Sequence, residues 1–233
     1  MLFKIPVNVR MRSSILSIAL LLGNSCYQDT TNTQTASRHS NDHSATIYLT
    51  GAGASFPNPL YQNWFISVAK EHPHLKINYQ SIGSGAGIQL FSSGTIDFGA
   101  SDVPLSSQEI ARCHREILQL PMTAGAVVLS YNIPGVKNLR LSRATLEGIF
   151  TGKILFWDDA VIKEANPNVE LPHSGITVIH RADGSGTTHL FTKTLGMMSQ
   201  TFLKEIGAGM AVEWPTTGNF VGARGNEGVA EMI

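Results

Sequence analysis

Strand-like and helix-like apolar patterns alternate along most of this chain. Short apolar runs over residues 47–50, 76–80 and 96–99 predict strands. Between them, an amphipathic period over residues 59–70 and a stretch running from the turn at 83–87 through Phe91 predict helices. This alternation implies an α/β lobe with a mostly parallel sheet. A longer apolar run over residues 124–131 predicts another strand, ended by the turn Asn132-Ile133-Pro134-Gly135, and a helix over 142–150 follows. A strand over 176–180, a turn over 181–186 and a helix over 187–195 carry the same rhythm into a second lobe. Residues 225–233 open one more helical pattern and stop inside it.

The first 45 residues break the pattern. Lys4, Arg10 and Arg12 precede an apolar run from Ile15 to Leu22, and Gly23, Asn24, Ser25 and Cys26 follow. This is the layout of a secretory signal, with an apolar run too short to span a bilayer. A start at Met11 would leave a more compact signal. Cys26 stands where bacterial lipoproteins carry their lipidated cysteine, although Gly23 takes the place of the usual Leu. Residues 27–45 are rich in Thr, Ser, Asn, Gln, Asp and His, with almost no large apolar side chain, so they cannot offset their ordering entropy and read as a flexible tether. The expected organisation is a signal of lipoprotein type over 1–26, the tether over 27–45, a first α/β lobe over 46–122 and a second, incomplete lobe over 123–233.

Composition narrows the partners. The 233 residues are 42% hydrophobic and 15% charged, enough apolar content for one or two globular lobes. Lys plus Arg and Asp plus Glu each number 17, so no basic stripe is available for nucleic acid. A bound anion must be small and held by local groups. With Cys26 lipidated, Cys113 has no disulfide partner and reads as a packed small residue.

Three turns share one design, in which a strand ends, Gly with Ser or Thr follows, and a helix begins: Gly51-Ala52-Gly53-Ala54-Ser55-Phe56, Gly83-Ser84-Gly85-Ala86-Gly87 and Asp183-Gly184-Ser185-Gly186-Thr187. Helix starts present unpaired N–H groups and the positive end of the dipole, and Gly lets backbone approach an anion closely. Taken singly, such a Ser or Thr is most often a helix cap. Loops at the carboxyl ends of strands in an open α/β sheet gather in one crevice, so three donor sets can converge. Nucleotide readings fail: Phe56 stands where a dinucleotide fingerprint needs its third glycine, and no Walker Lys follows any of these loops.

Arg181 precedes the third turn and offers a planar, permanently charged fork for oxyanions, with Asp183 placed to steady it. Asp102, after Phe98-Gly99-Ala100-Ser101, is the odd member, because a carboxylate repels an anion unless the anion carries a proton to donate. Phosphate near neutral pH does; sulfate does not. By position alone Asp102 reads equally well as a helix cap before Val103-Pro104.

At these residues the stretch from about Tyr48 to Gly228 resembles the phosphate-binding receptors of bacterial high-affinity phosphate ABC transporters. The resemblance lies in Thr50-Gly51-Ala52-Gly53-Ala54-Ser55-Phe56-Pro57, Tyr79-Gln80-Ser81-Ile82-Gly83-Ser84, Asp97-Phe98-Gly99-Ala100-Ser101-Asp102 and Arg181-Ala182-Asp183-Gly184-Ser185-Gly186-Thr187. Lys153-Ile154, Trp157-Asp158-Asp159 and Trp214-Pro215 add to it. It implies a two-lobed, type II periplasmic-binding-protein-like fold, incomplete at the C-terminus because family members continue well past the point matching Ile233. A truncated or frameshifted gene and a partial sequence all fit, and exposed apolar surface or open sheet edges are expected. The resemblance further implies phosphate donors at Ser55, Phe56, Ser84, Arg181, Ser185, Gly186 and Thr187, with Asp102 accepting the phosphate proton and Asp183 supporting Arg181. The implied protein is exported, periplasmic or at the cell surface, anchored through Cys26, without catalysis, cofactor or metal, and delivers phosphate to an inner-membrane ABC permease. Two rivals are a receptor for sulfate or molybdate and a phosphatase using His180 or His189.

Overall fold

Three of the strands predicted from the alternation, over residues 47–50, 76–80 and 96–99, pair in parallel, as crossover helices require. A computed structural model describes residues 45–113 and 116–233 and the backbone of residues 2–4. The segments read as signal and tether, Cys26 among them, otherwise lie outside the described residues. The first half runs β1 (Leu2–Lys4), β2 (Ile47–Gly53), α1 (Asn58–Glu71), β3 (Leu75–Ser81), α2 (Ser84–Ser92), β4 (Phe98–Ala100), α3 (Ser107–Arg112) and β5 (Ile117–Gln119). Its sheet has the order β3-β2-β4-β1-β5. β2 is parallel to β3 and β4, while β1 pairs antiparallel with β4 and β5. β1 falls within the segment read as signal, yet it occupies the position between β4 and β5.

Both faces of this sheet are covered, which is why its strands read as apolar runs rather than clean alternations. On one face Tyr61 of α1 packs with Ala54, Tyr79, Phe98 and Ala100. On the other, Ile88 and Phe91 of α2 pack with Ala52, Ile96, Leu105 and Cys113, so Cys113 is a small core residue as expected. α3 starts with a full capping box between Ser106 and Glu109.

The second half contains α4 (Arg143–Phe150), α5 (Ala160–Ala165), β6 (Thr177–Arg181), α6 (Gly186–Met198), α7 (Gln200–Glu205), β7 (Asn219–Ala223) and α8 (Gly225–Glu231). β6 and β7 form a parallel pair. Ile149, Ile154, Ile162, Leu171, Ile176 and Val178 make its core, and Phe202 of α7 is completely buried. Side-chain caps start four helices here: Ser142 for α4, Asp159 for α5, Ser185 for α6 and Ser199 for α7.

Two expectations change. Gly51–Gly53 belong to β2 rather than to a turn, because the ladders to Tyr79–Ser81 and Phe98–Ala100 continue through them. Residues 124–131 form no strand. Their apolar pattern suits a strand, but no partner runs alongside: residues 121–131 make no backbone-to-backbone hydrogen bond with the described residues, and Val128 is 73% exposed. Three cavities, of about 520, 290 and 500 Å³, follow one another along residues 119–132. Val127, Val128 and Leu129 add to the exposed apolar surface expected from the sequence, which also includes Tyr48, Ile66 and Met197 elsewhere.

Candidate anion-binding site

Ser55 lies in the turn between β2 and α1 and is 2% exposed. It does not cap α1, whose N-cap is Pro57 without a side-chain bond. Instead its Oγ accepts from Arg181 Nη1 at 3.3 Å and from the Asn226 backbone N–H at 3.1 Å. Ser84, the first residue of α2 and 1% exposed, is not a cap either. Its Oγ accepts from the Asp102 N–H at 3.2 Å. Ser185 differs: its Oγ accepts from the Thr188 N–H at 3.1 Å and caps α6, while its own N–H donates to Met210 O at 2.8 Å. The capping reading therefore describes one of the three turns, and the other two hydroxyls point to other work.

Arg181 ends β6, and its side chain is only 5% exposed. Nε donates to Asp183 Oδ1 at 2.7 Å and Nη2 to Asp183 Oδ2, a two-pronged pair. Nη1 donates to Asn226 Oδ1 at 2.7 Å and to Ser55 Oγ. A guanidinium has five N–H groups, so these four bonds leave one N–H, on Nη2, without a partner among the described residues. Asp183 also accepts from the Gly225 N–H at 3.1 Å. Burial alone raises the Asp183 pKa, but the hydrogen bonds from Arg181 and Gly225 and the Arg181 charge outweigh it and hold the carboxyl below its ordinary value.

Asp102 follows β4 and caps no helix, since Ser106 performs that role for α3. Its Oδ2 accepts from Thr187 Oγ1 of α6 at 3.0 Å. Burial raises its pKa, and the Thr187 hydrogen bond and Arg181 charge offset this only in part. Nearby, Tyr61 is pushed up to about 12, by burial first and by the Asp102 charge second.

The turns meet at close range. Gly85 N–H donates to Gly184 O at 2.9 Å. Gly83 has φ +90°, and a Cβ there would strike Asp183 Oδ2, so neither conformation nor space admits a side chain. A Cβ at Gly186 would lie 2.7 Å from both Asp102 Cβ and Ser84 Oγ. Phe56, 40% exposed, lines the cavity of about 520 Å³ together with Asp102, Thr187 and Asn226.

The structure thus bonds Ser55 and Asp183 to Arg181 and, in a second group, Ser84 and Thr187 to Asp102, packs Gly186 against Asp102 and Ser84, and sets Phe56 on the wall of the cavity that Asp102 and Thr187 line. Ser185 lies one residue away with its lone-pair and N–H partners internal. Sequence reading missed Gly225 and Asn226, although Ala223-Arg224-Gly225-Asn226 is a fourth strand-glycine-helix junction of the same design. Of the two histidines weighed for catalysis, His180 packs at a tilt against Trp214 and Phe220, and its Nδ1 is hydrogen-bonded to the Arg181 carbonyl. Among the described residues no group of three or more His, Cys, Asp or Glu is placed to hold a metal.

Known proteins share this sequence and architecture. The model of the PBP superfamily domain matches residues 40–232. The phosphate-binding protein PstS of Methanocaldococcus jannaschii is 42% identical over 202 residues, covering 83% of this chain and 52% of its own. The PstS protein of Haemophilus influenzae is 46% identical over 187 residues, covering 79% of this chain and 54% of its own. The chain thus spans about half the length of these curated relatives. A crystal structure with bound phosphate, from Clostridium perfringens and assigned to phosphate ABC transport as a substrate-binding protein, matches at TM-score 0.51 and 19% identity. That match covers 80% of this chain and 66% of the other, and it supports the α/β fold. The chain belongs to the PBP superfamily, with a sequence similar to PstS phosphate-binding proteins.

Proposed function

We propose that this chain carries the phosphate-binding site of an extracytoplasmic receptor serving an ABC-type phosphate permease. One observation carries the reading: groups from both sheets meet, with Thr187 donating to the Asp102 carboxyl, Ser84 holding the Asp102 N–H and Arg181 reaching across to Ser55. Ser55 and Ser84 come from the first sheet, and Arg181, Gly186 and Thr187 from the second. In this role Ser55 and Ser84 supply hydroxyls, Phe56 and Gly186 supply backbone N–H groups near two helix starts, Thr187 holds the Asp102 carboxyl, and Arg181 supplies charge steadied by Asp183. Asp102 accepts the hydrogen of a protonated phosphate.

The electrostatics favour a small oxyanion that still bears a proton. Arg181 is largely neutralised by Asp183, so attraction depends on oriented dipoles more than on net charge. A fully ionised sulfate facing Asp102 would leave an acceptor against an acceptor, the arrangement that costs most in a buried site. Relatives named as phosphate-binding proteins support the same ligand. The sulfate, molybdate and phosphatase readings have no comparable observation behind them.

Isothermal titration of the purified chain tests the assignment. Phosphate should bind in the presence of excess sulfate, and Asp102→Asn should narrow the preference for phosphate over sulfate. Sulfate competing equally with phosphate in the unaltered protein would remove the basis of the assignment. Export and anchoring through Cys26 form part of the proposal and rest on the signal layout. Radiolabelled fatty acid should enter the wild-type chain in cells and not Cys26→Ser; equal labelling of both would exclude the anchor.

A further inference from the structure

We infer that Asn226 is a positioning residue that sets two donors of the site, Ser55 and Arg181, from one helix start. The inference rests on the phosphate reading above. A serine hydroxyl has one hydrogen to donate and two lone pairs to accept with. On Ser55 both lone pairs are taken, by the Asn226 N–H at 3.1 Å and by Arg181 Nη1 at 3.3 Å. Its hydrogen has no acceptor among the described residues, although the residue is 2% exposed. A buried hydroxyl held this way has one remaining capacity, donation to an incoming oxygen, and the Asn226 N–H is the shorter of the two contacts that impose it.

The Asn226 side chain acts on the other donor. Its Oδ1 accepts from Arg181 Nη1 at 2.7 Å, while Asp183 holds Nε and Nη2. The guanidinium is therefore gripped at both ends and cannot turn about its plane. Asp183 alone would fix the Nε edge and leave Nη1 to choose its partner.

A separate observation shows that this helix start is built around the site. No residue of α8 is buried. The polar contacts of its first two residues run to the site: Gly225 N–H to Asp183, Asn226 N–H to Ser55 and Asn226 Oδ1 to Arg181. The helix start is tied to the anion site rather than to a core.

The two functions of Asn226 separate by substitution. Asn226→Ala keeps the N–H and deletes Oδ1, whereas Asn226→Pro deletes both, at a position in the first helical turn where Pro is tolerated. Phosphate titration of the wild-type chain and the two variants should show about tenfold weaker binding for Ala and about tenfold more again for Pro, one hydrogen bond each. A double-mutant cycle isolates the mechanism. In a Ser55→Ala background the gap between Ala and Pro at 226 should vanish, and in an Arg181→Lys background Asn226→Ala should cost nothing further. A residue that merely stabilised α8 would show the same gaps in every background. If Asn226→Pro fails to fold, as far-UV circular dichroism would reveal, the Asn226→Ala and Arg181→Lys cycle decides. Wild-type binding with Asn226→Ala and Asn226→Pro unchanged, or with gaps that persist in both backgrounds, overturns this inference alone. A wild-type chain that binds no phosphate overturns the functional assignment and this inference together.

Discussion

Gly186→Ala tests how closely the two sheets must approach for the site to work. The substitution leaves the backbone N–H in place, so no donor is lost, and Ala suits a helix better than Gly by up to about 1 kcal/mol. The new methyl group, however, would sit 2.7 Å from Asp102 Cβ and 2.7 Å from Ser84 Oγ. Ordinary carbon contacts begin near 3.5 Å, so the opposing turns must separate by roughly 0.8 Å. Ser84 is almost fully buried and its Oγ holds the Asp102 N–H, so neither neighbour can swing aside alone. Misplacing binding groups by about 1 Å can cost on the order of 100-fold, and overpacking costs about 1–3 kcal/mol. Phosphate affinity of Gly186→Ala should therefore fall by roughly 30–100-fold, with little change in the thermal midpoint because helix propensity offsets part of the strain. Gly175→Ala is the matched control, since its nearest neighbour would be Leu155 O at 3.9 Å. Calorimetric titration of both variants against phosphate provides the comparison. If Gly186→Ala binds within twofold of wild type, the contact between Gly186, Asp102 and Ser84 does not govern binding, and the argument from close approach fails.

Three further outcomes are expected. Tyr79→Phe removes the hydroxyl that donates to Ala54 O at 2.7 Å beneath the first turn; leaving that buried carbonyl unpaired should cost about 1–3 kcal/mol in urea unfolding, and a change below a few tenths would contradict the bond's role. Amides of residues 124–131 should exchange with deuterium rapidly, because none is paired to a described backbone carbonyl; strong protection there would reveal a ladder. The Asp102 pKa is raised in the folded protein, so the fold binds its proton more tightly than the unfolded chain does. Stability from that proton is complete below the unfolded pKa and is lost as pH rises through the folded value. Unfolding of wild type and Asp102→Asn across that range should diverge as pH rises, and a pH-independent difference would exclude the linkage.

Much of this was legible in the residues because strand-to-helix junctions leave strong local marks. Ser84 and Arg181 fall where glycine turns and a permanently charged side chain predicted them, and both turns are short enough for local sequence to dictate. The role of each hydroxyl was less legible. Ser55, Ser84 and Ser185 carry the same local signature, and only the tertiary partners distinguish a cap from a free donor: Thr188 reaches Ser185, while Asp102 and Asn226 reach the others. Residues 124–131 misled for the opposite reason. Their apolar run satisfies every local criterion for a strand, but a strand exists only through its neighbours' hydrogen bonds, and no single segment encodes those. Asn226 was missed because a polar residue at the start of a short helix is ordinarily a surface residue, and its contacts lie 45 and 171 positions away in the chain.

On the proposed reading, that separation would tie ligand selectivity to closure of the site. Ser55 has its hydroxyl on the first sheet but takes its orientation from Arg181 and Asn226 on the second half; Asp102 has its carboxyl on the first and takes a hydrogen bond from Thr187 on the second. Neither half presents a correctly oriented set alone. An anion bridging them therefore stabilises the approach of the two halves by the free energy with which it binds the assembled site in preference to the separated one. Discrimination then falls on the same step: a ligand unable to donate a hydrogen to Asp102 gains less from the assembled arrangement and so closes it less. On the proposed reading, selectivity for the ligand and closure of the site become one quantity, set by the fit between the ligand's proton and the half-buried Asp102 carboxyl.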